Sequence, residues 1–413
     1  MLSVRRAPSV RLAGLLAAAL LAAGCTSTVT GSASPAPTTG APSVSTSPSP
    51  SAGPTGQVTP APPVGPGTGA EARRIAGVTS LPVAITPDRT GSCFPTGPFG
   101  SASGVDGLYF GDGRVEQELD RWGFVVGWGT CGQDAAGNAT LVLVSEMSDP
   151  DSAAAAAAAL TTLALDQGSG DRQPVELPDL GASGSLSAGG SDTAGAPTDT
   201  VDVWVPSGRM LVYVYLDAPA GSAPDLVTAQ VRDQLGLLEG FAPTPQDQVP
   251  DLPTDPLGLG PYALRTPGDP TRFTGSYDLE GYLRLAIDPV VERDLLTANG
   301  FGGVFYRTTY DEAASRDYAV SLYTFPTSAQ TNAVYEGFAQ LEATAFGGTP
   351  FTLPAIPEAP CFVFENGPGN VAQRCYVGYG SYLASVDIQG LDAVDDYAPM
   401  DALLPQQRDL IDG

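Results

Sequence analysis

Two absences decide which chemistry is open to this chain. All 19 basic residues are arginine, so there is neither lysine nor histidine. A Ser-His-Asp or Cys-His relay has no base. A phosphate-binding loop, a Schiff base and a Ser-x-x-Lys nucleophile have no amine. Gly181-Ala182-Ser183-Gly184-Ser185 lacks the spacing of a nucleophile elbow and reads as a polar loop. Gly258-Leu259-Gly260 lacks the third glycine of a dinucleotide loop and reads as a turn. Without histidine or a Cys-x-x-Cys pair, no metal site or cofactor is expected.

Carboxylates remain. Glycoside hydrolysis needs only two of them, but with 45 acidic residues no pair stands out. Asp392, Asp395, Asp396 and Asp401 cluster without an Asp-x-Asp-x-Asp-Gly loop, the pattern of a solvated acidic segment. A second candidate is aromatic. Of 15 tyrosines, 12 fall between Tyr262 and Tyr397. Tyr306, Arg307, Tyr310, Arg316, Tyr318 and Tyr323 bring tyrosine and arginine together, the mixture favoured at recognition surfaces. The competing reading is tyrosine on half-exposed strands.

The elements that would position these residues read as a duplication. Pro174–Leu180 (PVELPDL) and Pro350–Ile356 (PFTLPAI) lie 176 residues apart, and Val115-Glu116 then meets Val291-Glu292. At the same offset Pro150 meets Pro326 and Arg232-Asp233 meets Arg408-Asp409. Each half runs as a short helix into Gly-Phe, a hairpin, a longer helix, further alternating strands and a closing helix. The fold class expected is α+β: two similar tandem domains, each an antiparallel sheet covered by helices. Four cysteines, Cys93, Cys131, Cys361 and Cys375, allow three pairings. Cys93 with Cys131 and Cys361 with Cys375 keeps each bond within one half.

The N-terminus fixes location. Arg5, Arg6 and Arg11 precede an apolar run from Leu12 to Ala23, too short to span a bilayer. The run ends Leu21-Ala22-Ala23-Gly24-Cys25 and resembles the lipobox of bacterial lipoproteins. That resemblance implies cleavage before Cys25 and a lipid on its thiol, which also accounts for the odd fifth cysteine. With Thr28-Val29-Thr30-Gly31 and the lysine-free composition, the first thirty residues resemble cell-envelope lipoproteins of mycobacteria and other actinobacteria.

Thr26 to Ala70 holds no charged residue and reads as a disordered Pro/Ser/Thr-rich tether, roughly 35–40 Å across as a flexible coil. The organisation expected is signal peptide 1–24, tether 25–70, first domain 71–240, linker 241–256 and second domain 257–413. The net charge of −26 argues against nucleic acid as a partner. The function expected is a non-catalytic lipoprotein on the extracytoplasmic face of the cell membrane, binding an envelope protein or small ligand between the halves or on the Tyr/Arg surface. The alternatives are a carboxylate-dependent hydrolase of wall polysaccharide and a structural envelope spacer.

Overall fold

A computed structural model describes residues 65–109, 111–166, 172–365 and 370–413. The signal peptide, Cys25 and nearly all of the tether lie outside the described residues. The exception is a correction. Pro66–Ala76 forms a helix, α1, with Gly67, Thr68 and Ala70 buried. The Pro/Gly/Thr content of residues 66–70 matches the tether, but proline at the first helical position loses no hydrogen bond. The Ala-Glu-Ala-Arg-Arg that follows propagates the helix.

The first half contributes β1 (Gly91–Ser92), β2 (Gly97–Phe99), β3 (Phe124–Gln133), β4 (Ala139–Met147), β5 (Arg172–Leu177), β6 (Ala182–Ser191), β7 (Pro197–Ser207) and β8 (Met210–Pro219). These strands pair in the order β1-β3-β4-β8-β7-β6-β5, with β2 also on β3. The helices are α2 (Ala102–Tyr109), α3 (Arg114–Arg121), α4 (Pro150–Asp166) and α5 (Ala223–Leu238). Residues 182–185, read above as a loop, begin β6. Gly184 lets the backbone of Asp202 approach to 2.7 Å from where a Cβ would stand, and a Gly/Ser strand gives no apolar alternation to detect.

The second half repeats this plan. β9 (Asp269–Pro270), β10 (Gly275–Tyr277), β11 (Gly303–Asp311), β12 (Arg316–Thr324), β13 (Thr349–Phe351), β14 (Cys361–Glu365), β15 (Val371–Tyr379) and β16 (Tyr382–Leu391) pair as β10-β11-β12-β16-β15-β14-β13, with β9 on β11. Its helices are α6 (Leu279–Leu283), α7 (Pro289–Ala298), α8 (Ser328–Thr344) and α9 (Ala398–Asp412). Every strand pair is antiparallel, so each half is a sheet with helices on both faces. In the first, α4 packs on one face through Ala156 and Leu160, and α5 on the other through Val227 and Val231. In the second, α8 and α9 take the corresponding places.

The duplication extends to single side chains, although no one offset relates the halves. Gln234 on α5 accepts from Ser80 N at 2.7 Å and donates to Val78 O at 2.8 Å. Gln407 on α9 accepts from Leu264 N at 2.7 Å and donates to Tyr262 O at 2.9 Å. The Arg-Asp identity at 232 and 408 is therefore out of register, because Gln234 corresponds to Gln407. The helix-start match at Pro150 and Pro326 is also displaced: Asp149 caps α4, and Thr327 caps α8.

The two halves pack against each other. One apolar cluster runs through both, and Trp128 stands edge-on to Phe273 at 6.3 Å and to Tyr277 at 6.1 Å. Arg73 of α1 donates to Thr274 O at 2.9 Å, and Arg284 Nε donates to Thr79 O at 2.7 Å. Residues 241–256 are packed rather than free. Thr244 binds both carboxylate oxygens of Glu71, and Val249 is buried. Gly67 is required where they cross α1, since a Cβ there would lie 2.0 Å from Val249 O.

The cysteines pair within halves, Cys93 with Cys131 and Cys361 with Cys375. Two disulfides suit an oxidising, extracytoplasmic compartment. Among the described residues no helix is long and apolar enough to cross a membrane.

Candidate functional site

The face of the second sheet beneath α8 carries a polar network larger than the Arg172–Asp202–Ser185 set on the matching face of the first. Glu342 on α8 is almost fully buried. Its Oε1 accepts from Arg374 Nη1 at 2.8 Å and from the Tyr376 hydroxyl at 2.6 Å. Arg374 Nε donates to Asp387, which also accepts from Ser385 Oγ at 3.2 Å. Nearby on α7, buried Glu292 accepts from the Tyr282 hydroxyl at 2.6 Å and from Ile287 N at 3.0 Å. The Tyr282 and Tyr323 hydroxyls are 3.0 Å apart.

Burial sets the electrostatics. It raises Glu292, opposed by the Tyr282 hydrogen bond and by backbone N–H groups. It raises Asp387 against the pull of Arg374. Burial alone would lower Arg374, but Asp387, Tyr376 and Glu342 more than reverse it and hold the guanidinium charged. One cation thus faces more than one carboxylate, and Glu342 Oε2 has no hydrogen-bond partner among the described residues.

Strand register shows what this network replaces. Across the first sheet runs the row Trp204, Tyr213, Leu143, Gly129. The matching row across the second, counted from the matching β7–β8 and β15–β16 hairpins, is Tyr376, Ser385, Ser321, Tyr306. The large residues in the middle become serines, and a glycine at the end becomes tyrosine. In the next row Asp202, Tyr215 and Leu141 become Arg374, Asp387 and Ala319.

The helices change in the same sense. Val115 on α3 corresponds to Glu292 on α7, each a turn before a buried leucine, Leu119 or Leu296. Ala164 on α4 corresponds to Glu342 on α8, counted from the caps. At these positions the first half packs an apolar cluster including Leu143, Leu160, Trp204 and Leu211, and its buried charge lies one row away in the Arg172–Asp202 pair.

Between Tyr376 and Tyr306 the row is thus a trough in side-chain size, two serines standing where the first half has Tyr213 and Leu143. α8 packs over β14, β15 and β16; Ser321 and Ser385 are buried, while Thr308, Ala319 and Arg374 are half-exposed and Asp317 is exposed. Tyr306 is half-exposed and its hydroxyl makes no hydrogen bond to the described residues; burial raises its pKa, Asp387 and Asp317 add to the rise and Arg374 opposes it.

The expected Tyr/Arg surface does not exist as one surface. Tyr306, Tyr310 and Tyr323 lie on the α8 face; Arg307, Arg316 and Tyr318 lie on the α9 face. Tyr318 and Tyr323 are core residues, 5% and 4% exposed. Arg307 donates to the carbonyls of Ala263, Leu264 and Gly260, and Arg316 pairs with Asp396 at 3.2 Å. Strand alternation sends neighbours to opposite faces, which a count of residue types along the chain cannot see. Only Tyr306, at the trough, and Tyr323, in the network, belong to the site.

Of the acidic cluster, Asp401 accepts from Ala355 N at 3.0 Å and Asp392 and Asp395 are exposed. Among the described residues no group of His, Cys, Asp or Glu is placed to hold a metal ion. Reading the sequence for motifs missed Glu292, Glu342, Arg374 and Asp387. The signal was available only in a position-by-position alignment of the repeats.

Residues 58–254, less than half of the chain, match the family model described as Domain of unknown function (DUF7373) N-terminal. No curated protein matches the chain. Among solved structures it is similar to that of the di-domain ARO/CYC StfQ from the steffimycin biosynthetic pathway, at 6% identity over 76% of this chain and 91% of the other. The TM-score of 0.12 is too low for that likeness to carry any argument.

Proposed function

We propose that this chain is a lipid-anchored protein of the extracytoplasmic membrane face whose second half binds a small polar ligand, without catalysing its conversion. The anchor is Cys25, and the support for it is the charged leader, the short apolar run and the lipobox-like Leu21–Cys25. The observation that carries the binding reading is the exchange of Leu143, Tyr213, Val115 and Ala164 for Ser321, Ser385, Glu292 and Glu342 at matching positions. Burying polar groups in place of apolar ones lowers stability unless they are fully paired. A fold that already has an apolar solution to the same packing problem gains no stability by this change. Glu342 and Asp387 both pair with the Arg374 guanidinium, which holds them as ion-paired acceptors and favours binding over carboxylate-dependent hydrolysis. Tyrosine rings and unfilled acceptors suit a hydroxyl-rich ligand such as a saccharide.

The test refills the trough with the first half's residues. Ser321→Leu with Ser385→Tyr is expected to fold with an unchanged disulfide pattern and a melting temperature at or above the parent's. In native mass spectrometry of protein extracted from membranes, the parent should carry a bound species that this variant lacks. Identical spectra from the two folded proteins would overturn the reading.

A further inference from the structure

The opposite face of the second sheet holds a separate groove of about 840 Å³ between α9 and the chain from Gly260 to Arg265. Two arginines line it, with Asp409 and Leu410 on the α9 side. Arg307 rises from β11 over the Phe305 ring at 5.3 Å. Its Nη1 donates to Leu264 O at 2.8 Å and to Ala263 O, and its Nη2 donates to Gly260 O at 3.1 Å. Three of the five guanidinium N–H groups are used, leaving Nε–H and one Nη2–H. Arg265 is exposed and forms no ion pair with the described residues. Burial lowers Arg307 and the like charge of Arg265 lowers it further, with Asp255 opposing. Two cations therefore crowd one groove in a chain of net charge −26.

The first half again supplies the contrast. Thr130 occupies the place of Arg307, each opposite a buried valine on the next strand, Val142 or Val320. Thr130 Oγ1 donates to Ser80 O at 2.8 Å, as Arg307 does to Leu264 O. The matching glutamine clamps align Ser80 with Leu264, so Leu81 corresponds to Arg265. A threonine is enough to hold that carbonyl. The second half instead places two guanidinium groups there, with N–H groups to spare.

We propose that this groove binds a phosphate group, with Arg265 and Arg307 as its donors. Guanidinium pairs match phosphate oxygens in geometry and charge, and a volume of this order holds a small molecule. The site is independent of the trough beneath α8.

The test measures binding by calorimetry to the chain from residue 25 with Cys25→Ser, which carries no acyl anchor, with inorganic phosphate in one arm and phosphatidylglycerol vesicles in the other. Binding in the phosphate arm assigns a free phosphate ligand. Binding in the vesicle arm alone assigns a lipid headgroup. In either case Arg265→Glu, at an exposed position with no protein partner, should weaken binding tenfold or more. Arg307→Thr, which keeps the carbonyl contact used in the first half, should do the same. No binding in either arm, or equal binding by parent and both variants, overturns the proposal. The Ser321→Leu/Ser385→Tyr variant should bind phosphate like the parent, so this site and the trough can fail separately.

Discussion

Arg374→Met is the most informative single change in the second half. It removes the one cation among the described residues that Glu342 and Asp387 contact, and their side chains are 1% and 9% exposed. Breaking a buried pair by deleting one partner lowers stability by about 3–5 kcal/mol, because the other charge stays buried and unpaired. Unfolding entropy near 60 °C is about 2.1 cal/mol/K per residue, or about 0.7 kcal/mol/K for ~350 ordered residues. If the shared core makes the halves unfold together, a loss of ~4 kcal/mol lowers the melting temperature by about 5–6 °C. If they unfold separately, the second half alone falls by about twice that. Urea denaturation at pH 7, followed by calorimetry, reads both quantities. Arg374→Met/Glu342→Gln/Asp387→Asn should regain at least half of the loss, since neutral groups tolerate burial far better than charges. A loss below about 1 kcal/mol for the single variant, the range of solvated surface pairs, would refute the reasoning. So would a triple variant no more stable than the single one.

Other consequences are as direct. Burial raises Glu292 above its ordinary value of 4.5, so the folded protein holds that proton more tightly than the unfolded chain. Its contribution is complete below the ordinary value and is lost as pH rises through the raised one; Glu292→Gln should flatten the decline in urea midpoint over that window. Gln407→Leu removes bonds to both Leu264 N and Tyr262 O, and should cost about 1–3 kcal/mol in chemical denaturation. Gln234→Leu should behave alike, and a large difference between the two would contradict the equivalence of α5 and α9. Gly67→Ala must displace the backbone at Val249. It should destabilise by more than the ~1 kcal/mol gain that helix propensity alone offers, measured by thermal melting.

The fold was legible where local chemistry and periodicity agree. Asp149-Pro150 marks the start of α4, alternation marks β7 and β8, and the repeat of Gly-Phe after α3 and α7 marks the duplication. β6 was hidden because Gly and Ser carry no alternating signal. The start of α1 was hidden because its first residues share the composition of the segment before it. The site was hidden for a different reason. Glu292, Glu342, Arg374 and Asp387 come from four elements, and no local pattern separates a buried acid from the others in so acidic a chain. Only the register of the sheets shows that Glu292 and Glu342 stand where valine and alanine stand in the first half. The tyrosine count pointed to the correct half but to mixed faces, since tyrosine serves there mainly as core.

The central claim is that the second half keeps a ligand trough where the first is solid. An electron-density map of the protein extracted from its native membrane tests it most directly. Non-protein density is expected against Tyr306, Ser321 and Ser385, and only packed side chains at Gly129, Leu143 and Tyr213. Side chains closing over Ser321 and Ser385 with no such density, in protein that retains its disulfides, would contradict it.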